Sequence, residues 1–264
     1  MEQKQLGSTG LMVPEIGFGT WRYQGEPAVV HRALELGSFL IDTAENYRTE
    51  EAVGRAVRGH RGDFFLATKV SPGNLHHDDL LRAAENSLRR LGSEWIDLYQ
   101  VHWPNPRIPI SETMRAMTEL VAAGKVRYVG VSNFSVREFQ EAQDALGDVP
   151  LVCNQVEYNL FNREIEDELL PYCAANGVSV MAYSPLAQGR LDQQLRSRPK
   201  LASVLDEVCR TTGMTRAQVL LAWCVRHPQV ITIPQTNRVE RVAENCSASG
   251  GRLTAEQFSA LSIA

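Results

Sequence analysis

Four side chains within residues 42–102 are of the types used in acid–base chemistry at a polarised oxygen: Asp42, Tyr47, Lys69 and His102. Asp42 and Tyr47 lie in IDTAENYRTEEAVG (residues 41–54), Lys69 stands near the end of FFLATKV, and His102 closes WIDLYQVH. Taken singly, each has an ordinary explanation. An Asp after a strand caps a helix or forms a turn, a Lys flanks an element with its amine in water, and a His or Tyr packs with its polar tip satisfied. An acid, a base, an imidazole and a phenol on three successive strand ends, however, converge on one pocket, which independent structural residues need not do.

The chemistry this set could perform is proton donation to an oxygen that gains negative charge. Lys69 paired with Asp42 stays charged in a low-dielectric site, and that charge favours a phenolate on Tyr47. Lowering a tyrosine pKa by roughly two units requires about 2.7 kcal/mol. A unit charge at about 4 Å and an effective dielectric of about 20 supplies about 4 kcal/mol before desolvation. The expectation is therefore a Tyr47 with a lowered pKa acting as general acid, and a His102 that hydrogen-bonds the same carbonyl oxygen and orients it.

The elements that must position these groups alternate along the chain. Eight β-rich runs, IGFGTW, SFLIDT, FFLATKV, WIDLYQVH, VRYVGVS, LVCNQVEY, VSVMAYS and QVITIP, are separated by amphipathic helical patterns. In HDDLLRAAENSLRRLG the residues Leu81, Ala84, Leu88 and Leu91 share one helical face and Gly92 stops the helix. Ser111 reads as a cap of a helix ending at Gly124, Ser135 with Glu138 as a capping box, and Thr254 with Gln257 as another. No linker or low-complexity segment divides the chain. The reading is an α/β protein, a (β/α)8 TIM barrel in a single domain over residues 1–264. In such a barrel strand ends face the active-site mouth, which adds Ser132, Asn133, Gln155, Tyr183 and Ser184 to the first four. An open sheet with a dinucleotide fingerprint is disfavoured: Gly17 and Gly19 are present, but Arg22 stands where the third glycine belongs.

The totals exclude other classes of partner. A chain of 264 residues with 44% hydrophobic and 22% charged residues has ordinary globular composition, and a formal net charge of -4 gives no electrostatic case for nucleic acid or an anionic membrane. A small-molecule partner is expected. The five cysteines stand singly without a C-x-x-C pair, so no metal site and no disulfide framework is indicated. No apolar run has the length of a signal peptide or a membrane span. The expectations are a cytoplasmic location and, lacking any coiled-coil pattern, a monomer.

Once these residues are assembled the chain resembles the aldo-keto reductase superfamily over nearly its whole length. The resemblance is carried by GFGTW, IDTAENYRTEEAVGRAV, ATKV, DLYQVHWP, VGVSNF, NQVEYN, AYSPLAQG and IPQTNRVERVAEN, in that order. The segment EYNLFNREIEDELLPYCAANGVSVMAYSPLAQG is more similar to bacterial members of broad substrate range. The resemblance implies reduction of aldehydes and ketones with NADPH, a catalytic tetrad at Asp42, Tyr47, Lys69 and His102, and Tyr47 as proton donor. It implies cofactor contacts at Thr20, at Ser132, Asn133 and Gln155 for the carboxamide, and at Tyr183 for the nicotinamide ring. Ser184, Leu186 and Gln188 match the loop over the pyrophosphate. Thr236, Asn237 and Arg241 match the 2'-phosphate site, and Glu244 and Asn245 the adenine contacts.

Two departures qualify these expectations. Gln235 occupies a position where relatives often have Lys, so NADH is possible beside NADPH; one cation lost from a phosphate site weakens the preference by about 1–2 kcal/mol. The sequence also stops at Ala264, soon after its last helical pattern, where relatives often carry a tail over the mouth. An open pocket walled by Trp21, Tyr23 and Trp103 is expected, suited to small aldehydes and aromatic or dicarbonyl substrates. Two alternative readings are a Schiff-base enzyme using Lys69 as nucleophile and a nicotinamide-binding redox-sensing subunit with little turnover.

Overall fold

The computed structural model describes residues 1–251 and 253–264. A short antiparallel hairpin, β1 (Gln3–Gln5) and β2 (Met12–Pro14), precedes eight strands: β3 (Phe18–Gly19), β4 (Leu40–Asp42), β5 (Phe65–Val70), β6 (Ile96–Val101), β7 (Val126–Ser132), β8 (Leu151–Glu157), β9 (Ser179–Tyr183) and β10 (Val230–Thr232). The eight pair in chain order, all in parallel, from β3 to β10. The sheet then closes on itself. Gly17 N–H donates to the Thr232 carbonyl (2.8 Å), Thr232 N–H to Glu15 (2.9 Å), and Gly19 N–H to Pro234 (3.1 Å). At this seam a Cβ on Gly19 would lie 2.6 Å from the Ile233 carbonyl oxygen. The glycine of GFG therefore serves close approach of two backbones.

Helices α1 (Pro27–Glu35), α2 (Glu50–Ala56), α3 (His77–Leu91), α4 (Ile110–Ala122), α5 (Val136–Leu146), α6 (Leu169–Ala175), α7 (Leu191–Arg196), α8 (Pro199–Thr212), α9 (Arg216–Cys224), α10 (Val239–Cys246) and α11 (Ala255–Ile263) accompany the strands. Two apolar layers result. Inside the barrel Leu40, Ala67, Leu98, Cys153, Met181, Ile231 and Ile233 pack together, with Leu6 and Val13 of the hairpin region in the same cluster. Outside it, strand residues such as Ile41, Leu66, Tyr99 and Val129 meet buried helix residues such as Val30, Leu80, Leu88, Met117 and Phe139.

Local signals account for several boundaries. The expected capping boxes form at Ser135 with Glu138 and at Thr254 with Gln257, and Gly92 ends α3 in the left-handed region (φ 62°). Ser111 does not cap: α4 begins one residue earlier, behind Pro109, and Ser111 lies inside its first turn. The hairpin and α7 add to the elements read from sequence. Lys4 anchors the hairpin to the barrel, donating from Nζ to the carbonyls of Val225, His227 (2.9 Å) and Val230 (2.7 Å).

Candidate active site

The four candidate chemical groups sit at the carboxyl ends of adjacent strands. Asp42 is the last residue of β4, Lys69 lies on β5 in register with Gln100 of β6, and His102 follows β6 with its N–H on the Val70 carbonyl (3.1 Å). Tyr47 reaches the same place by a different route, on a single 3₁₀ turn, Glu45–Tyr47. That turn is held by Glu45, whose carboxylate accepts from Ser71 N–H and Asn74 Nδ2, each at 2.9 Å. Arg48, at φ 60°, then reverses the chain into α2. Thr49 completes the support, its hydroxyl within 2.9 Å of Thr43 Oγ1 and 3.2 Å of Thr20 Oγ1.

Lys69 is fully buried, and its Nζ donates to Asp42 Oδ2 (2.7 Å), to the Thr43 carbonyl (2.8 Å) and, at 3.5 Å, to Tyr47 Oη. Burial opposes its charge, but Asp42 and then Tyr47 outweigh that, and the amine is held above its ordinary pKa. Tyr47 differs from expectation. Burial, with Asp42 adding to it, raises its phenol above the ordinary value despite the pull of Lys69. Desolvation of the phenolate outweighs the attraction of the ammonium. Tyr47 is thus kept protonated, with a cation beside the oxygen that would carry charge once the proton leaves.

His102 stands edge-on to Tyr47, ring centroids 5.5 Å apart. Burial, and secondarily Lys69, lowers its pKa to about 3, so the imidazole is neutral at physiological pH. Its Nδ1 is buried without a partner among the described residues. Nε2 is therefore the nitrogen left to a bound oxygen.

Above these groups opens a cavity of about 480 Å³. Of the residues expected from sequence, Thr20, Trp21, Asp42, Tyr47, His102, Trp103, Ser132, Asn133, Gln155, Tyr183, Ser184, Leu186, Gln188 and Gln235 line it. Lys69 lies beneath its floor. Tyr23 is not a wall: it is buried edge-on against Phe18, with its hydroxyl on the Glu26 carbonyl (2.7 Å). Trp21 and Trp103, 40% and 48% exposed, form the apolar rim.

The residues matched to a nicotinamide carboxamide form one connected set. Tyr183 Oη donates to Asn133 Oδ1 (3.0 Å), Asn133 Nδ2 to Ser132 Oγ (3.0 Å) and the His102 carbonyl (3.1 Å), and Ser132 Oγ to the Gln155 carbonyl (2.8 Å). Gln155 Nε2 turns to Asp42 Oδ1 (2.8 Å). Beyond them Ser184, Ala187, Gln188 and Gly189 all have positive φ, which brings strained backbone to the cavity edge. Such turns form concave surfaces for anions. Gln235 Nε2 is buried without a partner among the described residues. A ring-and-amide group with an attached phosphate chain fits this lining: an aromatic face, hydroxyl and amide groups, a positive-φ loop and one unsatisfied amide.

Thr236, Asn237, Arg241, Glu244 and Asn245 follow Gln235 towards and along α10 but do not line the cavity. Asn237 holds the opposite rim instead, donating from Nδ2 to the Arg22 carbonyl (3.1 Å) and accepting from Gln24 N–H (3.0 Å). Glu244 accepts from Thr215 Oγ1 (2.8 Å).

The aldo/keto reductase family model matches residues 15–264. The chain belongs to the aldo/keto reductase family. It is 38% identical to the methylglyoxal reductase YeaE of Escherichia coli (strain K12) over 274 aligned residues, covering 99% of this chain and 94% of that one. The crystal structure of a thermostable aldo-keto reductase, Tm1743, with the inhibitor epalrestat superposes with a TM-score of 0.93 at 40% identity and 99% coverage of both chains. An aldo/keto reductase from Klebsiella pneumoniae in complex with NADP and acetate gives 0.88 at 39% identity, with 99% of this chain and 94% of that chain covered.

In this aldo/keto reductase two polar side chains outside the expected set also line the cavity. Arg22 lines the mouth with its guanidinium over the Trp21 ring (4.0 Å), and Asn46 lines it beside Tyr47. Arg22 follows GFGTW directly and Asn46 lies within IDTAENYRTEEAVG, so adjacency to Trp21 and Tyr47 is the signal that marks them.

Proposed function

We propose that this protein reduces small aldehydes and dicarbonyl compounds with NADPH, Tyr47 donating the proton to the carbonyl oxygen. The observation that carries the reading is Lys69 Nζ, 2.7 Å from Asp42 and 3.5 Å from Tyr47 Oη, beneath a cavity edged by His102. A protonated phenol is the right starting state for a donor. The buried ammonium then stabilises the phenolate left behind, an interaction that grows as the proton moves and so favours the transition state. Asp42 keeps Lys69 charged and in place. Neutral His102 donates to the same oxygen from Nε2 and sets its direction without competing as an acid. Trp21 and Trp103 give a carbonyl compound an apolar rim.

Ser132, Asn133, Gln155 and Tyr183 would hold the nicotinamide end of the cofactor, and Ser184, Leu186 and Gln188 the phosphate chain. When bound, the reduced nicotinamide supplies hydride to the carbonyl carbon. NADPH rather than NADH is supported by the relative solved with NADP and by Arg241, whose position matches the 2'-phosphate site, although Gln235 offers no cation. Methylglyoxal is the first substrate to try, because it is the substrate in the name of a relative 38% identical.

The test follows loss of the reduced cofactor's absorbance with methylglyoxal and a panel of aldehydes, for wild type and Tyr47→Phe. Turnover by wild type, lost in the variant while cofactor binding persists, supports Tyr47 as donor. Cofactor binding without reduction of any carbonyl would overturn the reading in favour of a redox-sensing role.

A further inference from the structure

A second cavity, of about 510 Å³, lies at the other end of the barrel. It is lined by Arg55 and Arg58 from the end of α2 and the turn after it, by Arg61, and by Arg89 and Arg90 from the last turn of α3. The segments involved lead into the amino ends of β5 and β6, whereas Asp42, Lys69 and His102 stand at carboxyl ends. A close contact brings the two helices together: a Cβ on Gly54 would meet the carbonyl oxygens of Leu91 at 2.6 Å and Arg90 at 2.7 Å. The glycine that ends the IDTAENYRTEEAVG motif thus seats α2 directly on the end of α3 and gathers its arginines with those of α3.

Two of the five guanidinium groups are neutralised from behind the cavity wall. Arg61 bonds Asp97 Oδ2 (2.7 Å), and Arg90 bonds the buried Glu50 (2.6 Å). Arg89 reaches only a neutral group, Asn86 Oδ1 (2.8 Å). Arg55, Arg58 and Arg89 form no ion pair with a carboxylate among the described residues, and Glu51 is the one carboxylate lining the cavity. Like charges gathered in one recess repel, and the chain as a whole is net negative.

We propose that this recess is a binding site for a small molecule bearing two or more phosphate charges. Guanidinium groups contributed by α2, the turn after it and α3 match the bidentate demand of phosphate oxygens. A recess of this volume on a protein of net charge -4 suits a compact polyanion better than a nucleic-acid strand, which needs an extended basic track. The proposal is independent of the reductase reading and concerns no residue of that site.

Inorganic pyrophosphate titrated calorimetrically at fixed ionic strength is the test, using wild type, Arg55→Ala/Arg58→Ala and Arg241→Ala. Wild type should show saturable binding, the double variant should bind at least about tenfold more weakly, and Arg241→Ala should bind as wild type. Arg58→Glu, a single exposed change, should weaken binding in the same direction and guards against misfolding of the double variant. Absence of saturable binding would overturn the proposal, leaving the arginines as partners of two helix C-termini. Loss confined to Arg241→Ala would overturn it equally, placing the anion at the position matched to the cofactor 2'-phosphate. A short DNA duplex that binds wild type and is not displaced by pyrophosphate would replace the small ligand with nucleic acid.

Discussion

Gln155 Nε2 donates to Asp42 Oδ1 over 2.8 Å, tying a residue matched to the cofactor amide to the carboxylate that holds Lys69. The same carboxylate also receives Gln100 Nε2 at 3.4 Å. Hydrogen bonds to an ionised acceptor contribute about 1.5–3 kcal/mol. Gln155→Leu should therefore lower folding stability by about that amount and reduce turnover as well as cofactor affinity. Urea denaturation beside steady-state kinetics checks this; unchanged stability would show that the bond to Asp42 contributes nothing.

The Asp42–Lys69 pair is almost completely withdrawn from water. Removing one partner strands the other, so Asp42→Leu and Lys69→Met should each cost about 3–5 kcal/mol. The double variant should lose less than the sum of the two, because no charge is left unpaired. Denaturant midpoints of the three variants give the coupling directly, and simple additivity would contradict it.

The pH profile of reduction should lack a histidine limb. His102, lowered to about 3, stays neutral across the working range, and Tyr47, raised above the ordinary tyrosine value, keeps its proton well past neutrality. A general acid is active below its pKa, so kcat/KM should stay level through neutral pH and fall only at strongly alkaline pH. Stability carries the opposite sign for His102. Between its ordinary 6.5 and about 3 the unfolded chain binds a proton there that the folded chain does not, so stability falls as pH falls through that window. His102→Gln should lessen this acid sensitivity in thermal melts taken at several pH values.

Gln235 Nε2 has no partner among the described residues and lines the cavity. Gln235→Lys should strengthen NADPH binding relative to NADH by about 5- to 30-fold, the equivalent of about 1–2 kcal/mol for one added cation. The ratio of KM values for the two cofactors measures it. An unchanged ratio would place the 2'-phosphate beyond reach of this position.

Lys4 ties the amino-terminal hairpin to the barrel through three carbonyl oxygens. Lys4→Met should destabilise the protein by about 2–4 kcal/mol while leaving KM for the carbonyl substrate unchanged, since the proposed catalytic groups stand at the other end. Melting temperature and kinetics measured on one preparation separate the two effects.

Much of the architecture is local information. Strands are short alternating or wholly apolar runs, helices repeat their apolar residues every three or four positions, and caps such as Ser135 with Glu138 act within one turn. Those patterns sufficed to expect eight strand–helix units and to set Asp42, Lys69, His102, Ser132, Asn133 and Gln155 at strand ends, because a barrel sends its strand ends to one mouth. Tertiary structure decided whatever depends on burial and on residues distant in the chain. It raised Tyr47 where a charge argument lowered it, because desolvation is set by every element packed around the ring. It turned Tyr23 into the core, drew Arg22 and Asn46 to the cavity, started α4 at Ile110, and gathered Arg55, Arg58, Arg61, Arg89 and Arg90 around one recess. The residue types present were settled by the sequence; which of them lose water together, and so which charges are costly, was settled only when the chain closed on itself.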